Sequence, residues 1–249
     1  MNVFALGLSL AAGLCTGIGG IIGVLLKDRG KAYIGGALGF SAGIMITVSL
    51  SDILPNAIEI LSGKIGETVG AVFIMVAVIA GMLIGGLIDT FIPQAELGSS
   101  QGMYRLGIFS MISLIAHNLP EGTAVYVSGA TDTGMGVSLA LAIGMHNIPE
   151  GIAVALPIYT ATGKAGKGIG YAFLSGLAEP LGGVLAWMVI GPLVGPLLLE
   201  YTMAVVSGLM LYVAIWELIP SSCQTGGFRP MSFGTLLGVL VMSLSIYLI

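Results

Sequence analysis

The chain has two histidines, and each opens the same six-residue pattern: His117-Asn118-Leu119-Pro120-Glu121-Gly122 and His146-Asn147-Ile148-Pro149-Glu150-Gly151. Residues three and four apart share one face of an α-helix. Each pattern therefore offers an imidazole, an amide oxygen and a carboxylate to the same side. That donor set suits Zn²⁺, Fe²⁺, Mn²⁺, Co²⁺ and Cd²⁺; it suits poorly Cu(I), which prefers sulfur, and Mg²⁺, for which histidine is an unlikely ligand. Histidine must be neutral to bind a metal, so affinity is expected to fall as pH drops. Pro120 and Pro149 lack the N–H groups that would bond the Ala116 and Met145 carbonyls. At membrane depth those carbonyls require a neighbour, water or an ion.

A third carboxylate, Glu179, stands in Ser175-Gly176-Leu177-Ala178-Glu179-Pro180, again within an apolar run and beside a proline. An ionised side chain at a bilayer centre costs about 2.5–3.5 kcal/mol even on the lenient insertion scale. Three glutamates sum to a charge of −3, which one divalent cation would reduce to −1 and two would take to +1. Bridging by Glu121 and Glu150 would let two metals share the carboxylates.

The elements that must position these groups are membrane-spanning helices. Of 249 residues, 56% are hydrophobic and 8% charged, with a mean hydropathy of +1.06. A soluble domain carries roughly 25% charged residues, so 8 basic and 12 acidic side chains cannot cover a soluble globule of this size. A span needs about 20 mostly apolar residues. Eight such runs are expected, over 2–26, 33–57, 68–92, 104–129, 134–160, 168–191, 201–221 and 231–249, with no room for a separate soluble domain. The short link between the fourth and fifth makes them antiparallel neighbours, so the two motifs meet at one depth. Gly35, Gly39 and Gly43 repeat every fourth residue, as do Gly13 with Gly17 and Gly81 with Gly85. Small residues so spaced let backbones approach closely in lipid.

Lys27, Arg29, Lys31, Arg105, Lys164, Lys167 and Arg229 fall in alternate connections, against Lys64 alone on the other side. The positive-inside rule then places both termini outside. The first run is too long for a signal-peptide core and is expected to stay in the membrane. Cys15 and Cys223 form no paired motif and read as free thiols. A net charge of −4 and the lack of a basic patch exclude nucleic acid as a partner.

Two further segments, Ser51-Asp52-Ile53-Leu54-Pro55 and Trp216-Glu217-Leu218-Ile219-Pro220, place an acid three residues before a proline in otherwise apolar runs. They become equivalent if spans 1–3 and 6–8 form an inverted repeat around spans 4 and 5, an arrangement common in transporters. Asp52, with Glu59, would then attract cations at the entrance, and Glu217, with Asp89, would guide release. The alternative is ordinary acids near helix ends.

The paired His-Asn-x-Pro-Glu-Gly motifs, Ala-Glu-Pro on the sixth span and eight spans in total closely resemble the ZIP (Zrt-, Irt-like) divalent-metal transporters, nearest the bacterial ZupT-like or GufA-like branch. The resemblance covers essentially the whole chain. It implies an all-α polytopic membrane protein of the cytoplasmic membrane of a bacterium or archaeon, with eight transmembrane helices in a 3+2+3 inverted-repeat bundle. It also implies a two-metal site: His117, Glu121, His146 and Glu150 for one ion; Asn118, Glu121, Asn147, Glu150 and Glu179 for the other. The expected partners are the transported ions and the lipid bilayer, with no separate cofactor and the oligomeric state left open, a homodimer included. Spans 1, 4, 5 and 6 would move against 2, 3, 7 and 8. Residues 93–103 lack the histidines that many members carry there, and the neutral Asn147 stands where some members have a charged residue. One rival is a proton-coupled monovalent cation antiporter using the three glutamates, which leaves the His-Asn pairs unexplained. A zinc protease would need His-Glu-x-x-His, which is absent.

Overall fold

The computed structural model describes residues 1–25, 30–190 and 196–248, which are helical apart from short connections. Lys27 and Arg29, two of the charges used for orientation, lie outside the described residues, as do the last residues of the first, sixth and eighth predicted runs. Eight rods follow one another: α1 (Val3–Leu25), α2 (Lys31–Ile65), α3 (Glu67–Phe91), α4 (Ser100–Thr131), α5 (Thr133–Thr162), α6 (165–190), α7 (196–226) and α8 (Phe228–Leu248). Seven are long and apolar enough to cross a membrane. The exception is α4, which spans 32 residues but carries Arg105 and the first hexapeptide in its middle. Large apolar side chains lie exposed along α3 (Val72, Phe73, Val76, Ile79, Leu83) and α8 (Phe233, Leu236, Leu240, Leu244). That surface is unsuited to water and suited to lipid.

Two rods run longer than their apolar runs predict, for a shared reason. Pro55 in α2 and Pro220 in α7 each lack the N–H for a normal α-helical bond. In both rods the backbone widens into one π-helical stretch just ahead, over Ser49–Ile53 and Val213–Leu218. The residue before each proline bonds back five positions, Leu54 to the Ser49 carbonyl and Ile219 to the Ala214 carbonyl. The proline is thus absorbed as a bulge, and the helix continues to Ile65 in one case and Gly226 in the other. Asp52 and Glu217 sit in the two bulges.

The rods divide into two packed groups. In one, α1 lies along α5 and α6, and α4 lies along α5 and α6. In the other, α2 lies along α8 and α7, and α3 lies along α7. Fewer contacts join the groups, chiefly α2 with α5 and α4 with α7. Fully buried Leu38, Met45, Phe109, Leu156, Met210 and Leu218 fill the space between them. α4 and α5 are joined at Asp132, whose side chain caps α5 by accepting the Met135 N–H at 2.9 Å.

Close backbone crossings hold the first group together. A Cβ at Gly122 would stand 1.9 Å from the Glu179 carbonyl oxygen, and one at Gly151 would stand 1.9 Å from that of Thr16. These are the last residues of the two hexapeptides, so the glycine in each motif lets α4 touch α6 and α5 touch α1 beside the acidic residues. Gly122→Ala and Gly151→Ala are each expected to cost about 1–3 kcal/mol through forced separation of the helices. Thermal melting of the detergent-purified protein would register the loss. Gly63→Ala, with nothing within 4 Å of the new methyl, should melt no lower than the native protein, and native-like melting of Gly122→Ala would contradict the crossing.

Candidate metal centre

Helical spacing carries His117, Asn118 and Glu121 of α4, and His146, Asn147 and Glu150 of α5, into the interior of the first helix group. Glu179 of α6 joins them, and all seven are buried at 2% exposure or less. The predicted antiparallel meeting of the motifs is seen as two cross-pairs. His117 Nε2 lies 3.2 Å from Glu150 Oε2, and His146 Nε2 lies 3.6 Å from Glu121 Oε1. Each histidine therefore faces the glutamate of the other motif rather than its own.

The asparagines are oriented by backbone. Asn118 Nδ2 donates to the Ser175 carbonyl of α6 at 3.2 Å, and Asn147 Nδ2 donates to the Ala12 carbonyl of α1 at 3.0 Å. A carbonyl requires a donor, so the amide nitrogen must face it and the amide oxygen must turn away. Asn147 Nδ2 also contacts Glu179 Oε1. The hydroxyls of Ser9 and Ser41 donate to the Gly122 and Pro149 carbonyls at 3.0 and 2.7 Å. These are not the Ala116 and Met145 carbonyls expected to need partners.

Many of the buried polar atoms left without a hydrogen-bond partner belong to this cluster. They include both Glu121 oxygens, Glu150 Oε1, Glu179 Oε2, the Asn118 and Asn147 oxygens, and both nitrogens of His146. Orphaned buried polar atoms are rare because each costs about 1–3 kcal/mol. In this cluster every one belongs to a histidine, an asparagine or a glutamate, all metal-ligating types. Among the described residues no three His, Cys, Asp or Glu side chains already form a metal cage. A cation would bind by parting the imidazole–carboxylate pairs. Thr16 of α1, packed against Gly151 and Gly176, also has a buried hydroxyl without a hydrogen-bond partner; a lone threonine in an apolar run carries no signal in the sequence.

The four predicted pathway acids separate. Asp52, in the α2 bulge, accepts from Asn56 Nδ2 at 2.9 Å and lines a cavity of about 160 Å³ that also touches Glu121 and His146. Glu59 lies exposed on the following turns and does not line that cavity. Asp89 and Glu217 are both ion-paired to Arg105, with Arg105 Nη1 to Glu217 Oε2 at 2.9 Å. Arg105, which the sequence places among the loop charges, is instead buried inside α4, where two carboxylates from α3 and α7 neutralise it. Without Arg105 the orientation charges stand at six to one, two of the six lying outside the described residues.

The model of the family described as ZIP Zinc transporter matches residues 94–246. The chain is 40% identical over 260 aligned positions to "Zinc transporter ZupT" of Corynebacterium efficiens, covering 99% of this chain and 97% of the relative. It is 37% identical to the protein of the same name from Chlorobaculum parvum, over 99% and 97% of the two chains. For the one from Streptococcus mutans the identity is 36%, over 97% and 96%.

The Asp89–Arg105–Glu217 network generates its own expectation. Removing the guanidinium leaves two largely buried carboxylates without their counter-charge, a change worth about 3–5 kcal/mol for a buried pair. Arg105→Gln should therefore melt well below the native protein, and adding Asp89→Asn and Glu217→Gln should recover much of the loss. Equal melting of native protein and Arg105→Gln would contradict the network.

Proposed function

The chain belongs to the ZIP zinc transporter family, and on that footing we propose that it carries Zn²⁺ into the cytoplasm through the cluster of α4, α5 and α6. It is a multi-pass membrane transporter and not an enzyme. The observation that carries the site reading is the concentration of unpartnered carboxylate, amide and imidazole atoms at seven buried positions. His117, Glu121, His146 and Glu150 hold the first ion. Asn118, Asn147 and Glu179 complete a second position, with Glu121 and Glu150 shared. The same donors accept Fe²⁺, Mn²⁺, Co²⁺ and Cd²⁺. Moderate affinity follows from ligands shared between sites, and a transported ion must also leave.

The packing supports alternating access. The ligands lie on the α1, α4, α5 and α6 group, and the bulged α2 and α7 lie in the other. An inverted 3+2+3 repeat is supported by three correspondences. The π-helical stretches and following prolines recur in α2 and α7. Gly122 on α6 mirrors Gly151 on α1. The Asn118 bond to α6 mirrors the Asn147 bond to α1. In this mechanism a cation arrives from the Asp52 side and parts the two His–Glu pairs. Rocking of the groups then opens a path past Asp89 and Glu217. Arg105 joins α4 of one group to α3 and α7 of the other, so its ion pairs must break for that path to open. The distribution of the remaining lysines and arginines supports a cytoplasmic location for that end and an outside location for both termini.

Uptake of Zn²⁺ into proteoliposomes of purified protein tests the reading. Glu121→Ala and His146→Ala should each lower flux at least roughly tenfold, as loss of a metal ligand or of its support commonly does. Na⁺ or K⁺ flux should stay at the level of protein-free vesicles. Native zinc flux in both variants would exclude the site, and monovalent flux in its place would favour an antiporter.

A further inference from the structure

The cavity that reaches Glu121 and His146 has a second carboxylate at its other end. Its polar lining comprises Asp52, Asn56, Glu121, Ser128, His146 and Glu200. Glu121 and His146 are buried, whereas Asp52 and Glu200 are partly exposed, so the cavity runs from the surface to the ligands. At the buried end both Glu121 oxygens and His146 Nε2 lack hydrogen-bond partners. At the outer end Asp52 is held by Asn56, while among the described residues no side chain bonds or ion-pairs with Glu200. Among the described residues no lysine or arginine lines the cavity.

We infer that Glu200 is a cation-recruiting carboxylate at the mouth of the transport site, which passes a partly hydrated divalent ion to Glu121 and His146. The inference rests on those two residues being transport ligands. Glu200 and Asp52 belong to α7 and α2, in the group opposite the ligands, so the ion crosses from one body to the other. Carboxylate oxygens at a partly exposed mouth suit an ion still shedding its hydration shell. A carboxylate without a counter-charge, in a cleft with low-dielectric walls, raises the local cation concentration. It acts on capture and leaves the later conformational step alone. Its position at the first turns of α7, far in sequence from both hexapeptides, gave no sign of this role.

The test is Zn²⁺ uptake by purified full-length protein in proteoliposomes, with KM and Vmax separated. Glu200→Gln should raise KM roughly tenfold while Vmax changes far less, and Glu200→Asp should restore most of the native KM. Raising ionic strength should bring the native KM up toward that of Glu200→Gln, because screening weakens an exposed charge. A native KM in Glu200→Gln, or a loss confined to Vmax, would overturn the role. Glu121→Ala separates the two levels. If it transports normally, the site reading has failed. If it is inactive and Glu200→Gln keeps the native KM, only the role of Glu200 has failed.

Discussion

Glu121, Glu150 and Glu179 are screened from solvent within one helix group, and a carboxylate placed at membrane depth is costly unless something compensates it. The compensation here is local and incomplete. Two histidines face two of the glutamates across the α4–α5 contact, and Asn147 contacts the third. Several oxygens remain without any donor. Such a cluster is stable only if its helices are held firmly, so the close crossings at Gly122 and Gly151 and the amide bonds to α1 and α6 follow from the same demand. On the proposed function, a divalent cation would complete the compensation that the protein leaves unfinished.

Movement is built from the same constraint. A site of this charge cannot be exposed to both sides at once without leaking ions. The helices carrying it pack chiefly with each other, and the group of the bulged helices α2 and α7 is the body they would move against on the proposed function. Prolines in α2 and α7 are absorbed as π-helical stretches that carry Asp52 and Glu217. At one end Arg105 ties the bodies together through Asp89 and Glu217. At the other a cavity leads inward from Asp52 and Glu200.

Much of this was legible in the sequence because the signals are strong in a chain so apolar. The runs of hydrophobic residues located the helices, and the only two histidines fell in identical hexapeptides. What escaped has physical reasons. The reach of α2 and α7 depends on a proline being absorbed by a π turn, which hydropathy cannot register. Arg105 reads as a loop charge until Asp89 and Glu217, 16 residues before it and 112 after, are brought to it. The glycines ending the hexapeptides look like punctuation, yet each is fixed by the backbone of a helix distant in sequence. Glu200 and Thr16 are single residues without a pattern, and only tertiary contact gives them meaning.

On the proposed function, zinc is held by imidazole, carboxylate and amide groups from α4, α5 and α6. X-ray absorption at the zinc edge of the zinc-loaded, washed protein reads that shell directly. Nitrogen and oxygen neighbours at about 2.0–2.2 Å with imidazole scattering and no sulfur are expected, with loss of that scattering in the doubly substituted His117→Ala, His146→Ala protein. Sulfur at about 2.3 Å, or a shell unchanged by those substitutions, would contradict it.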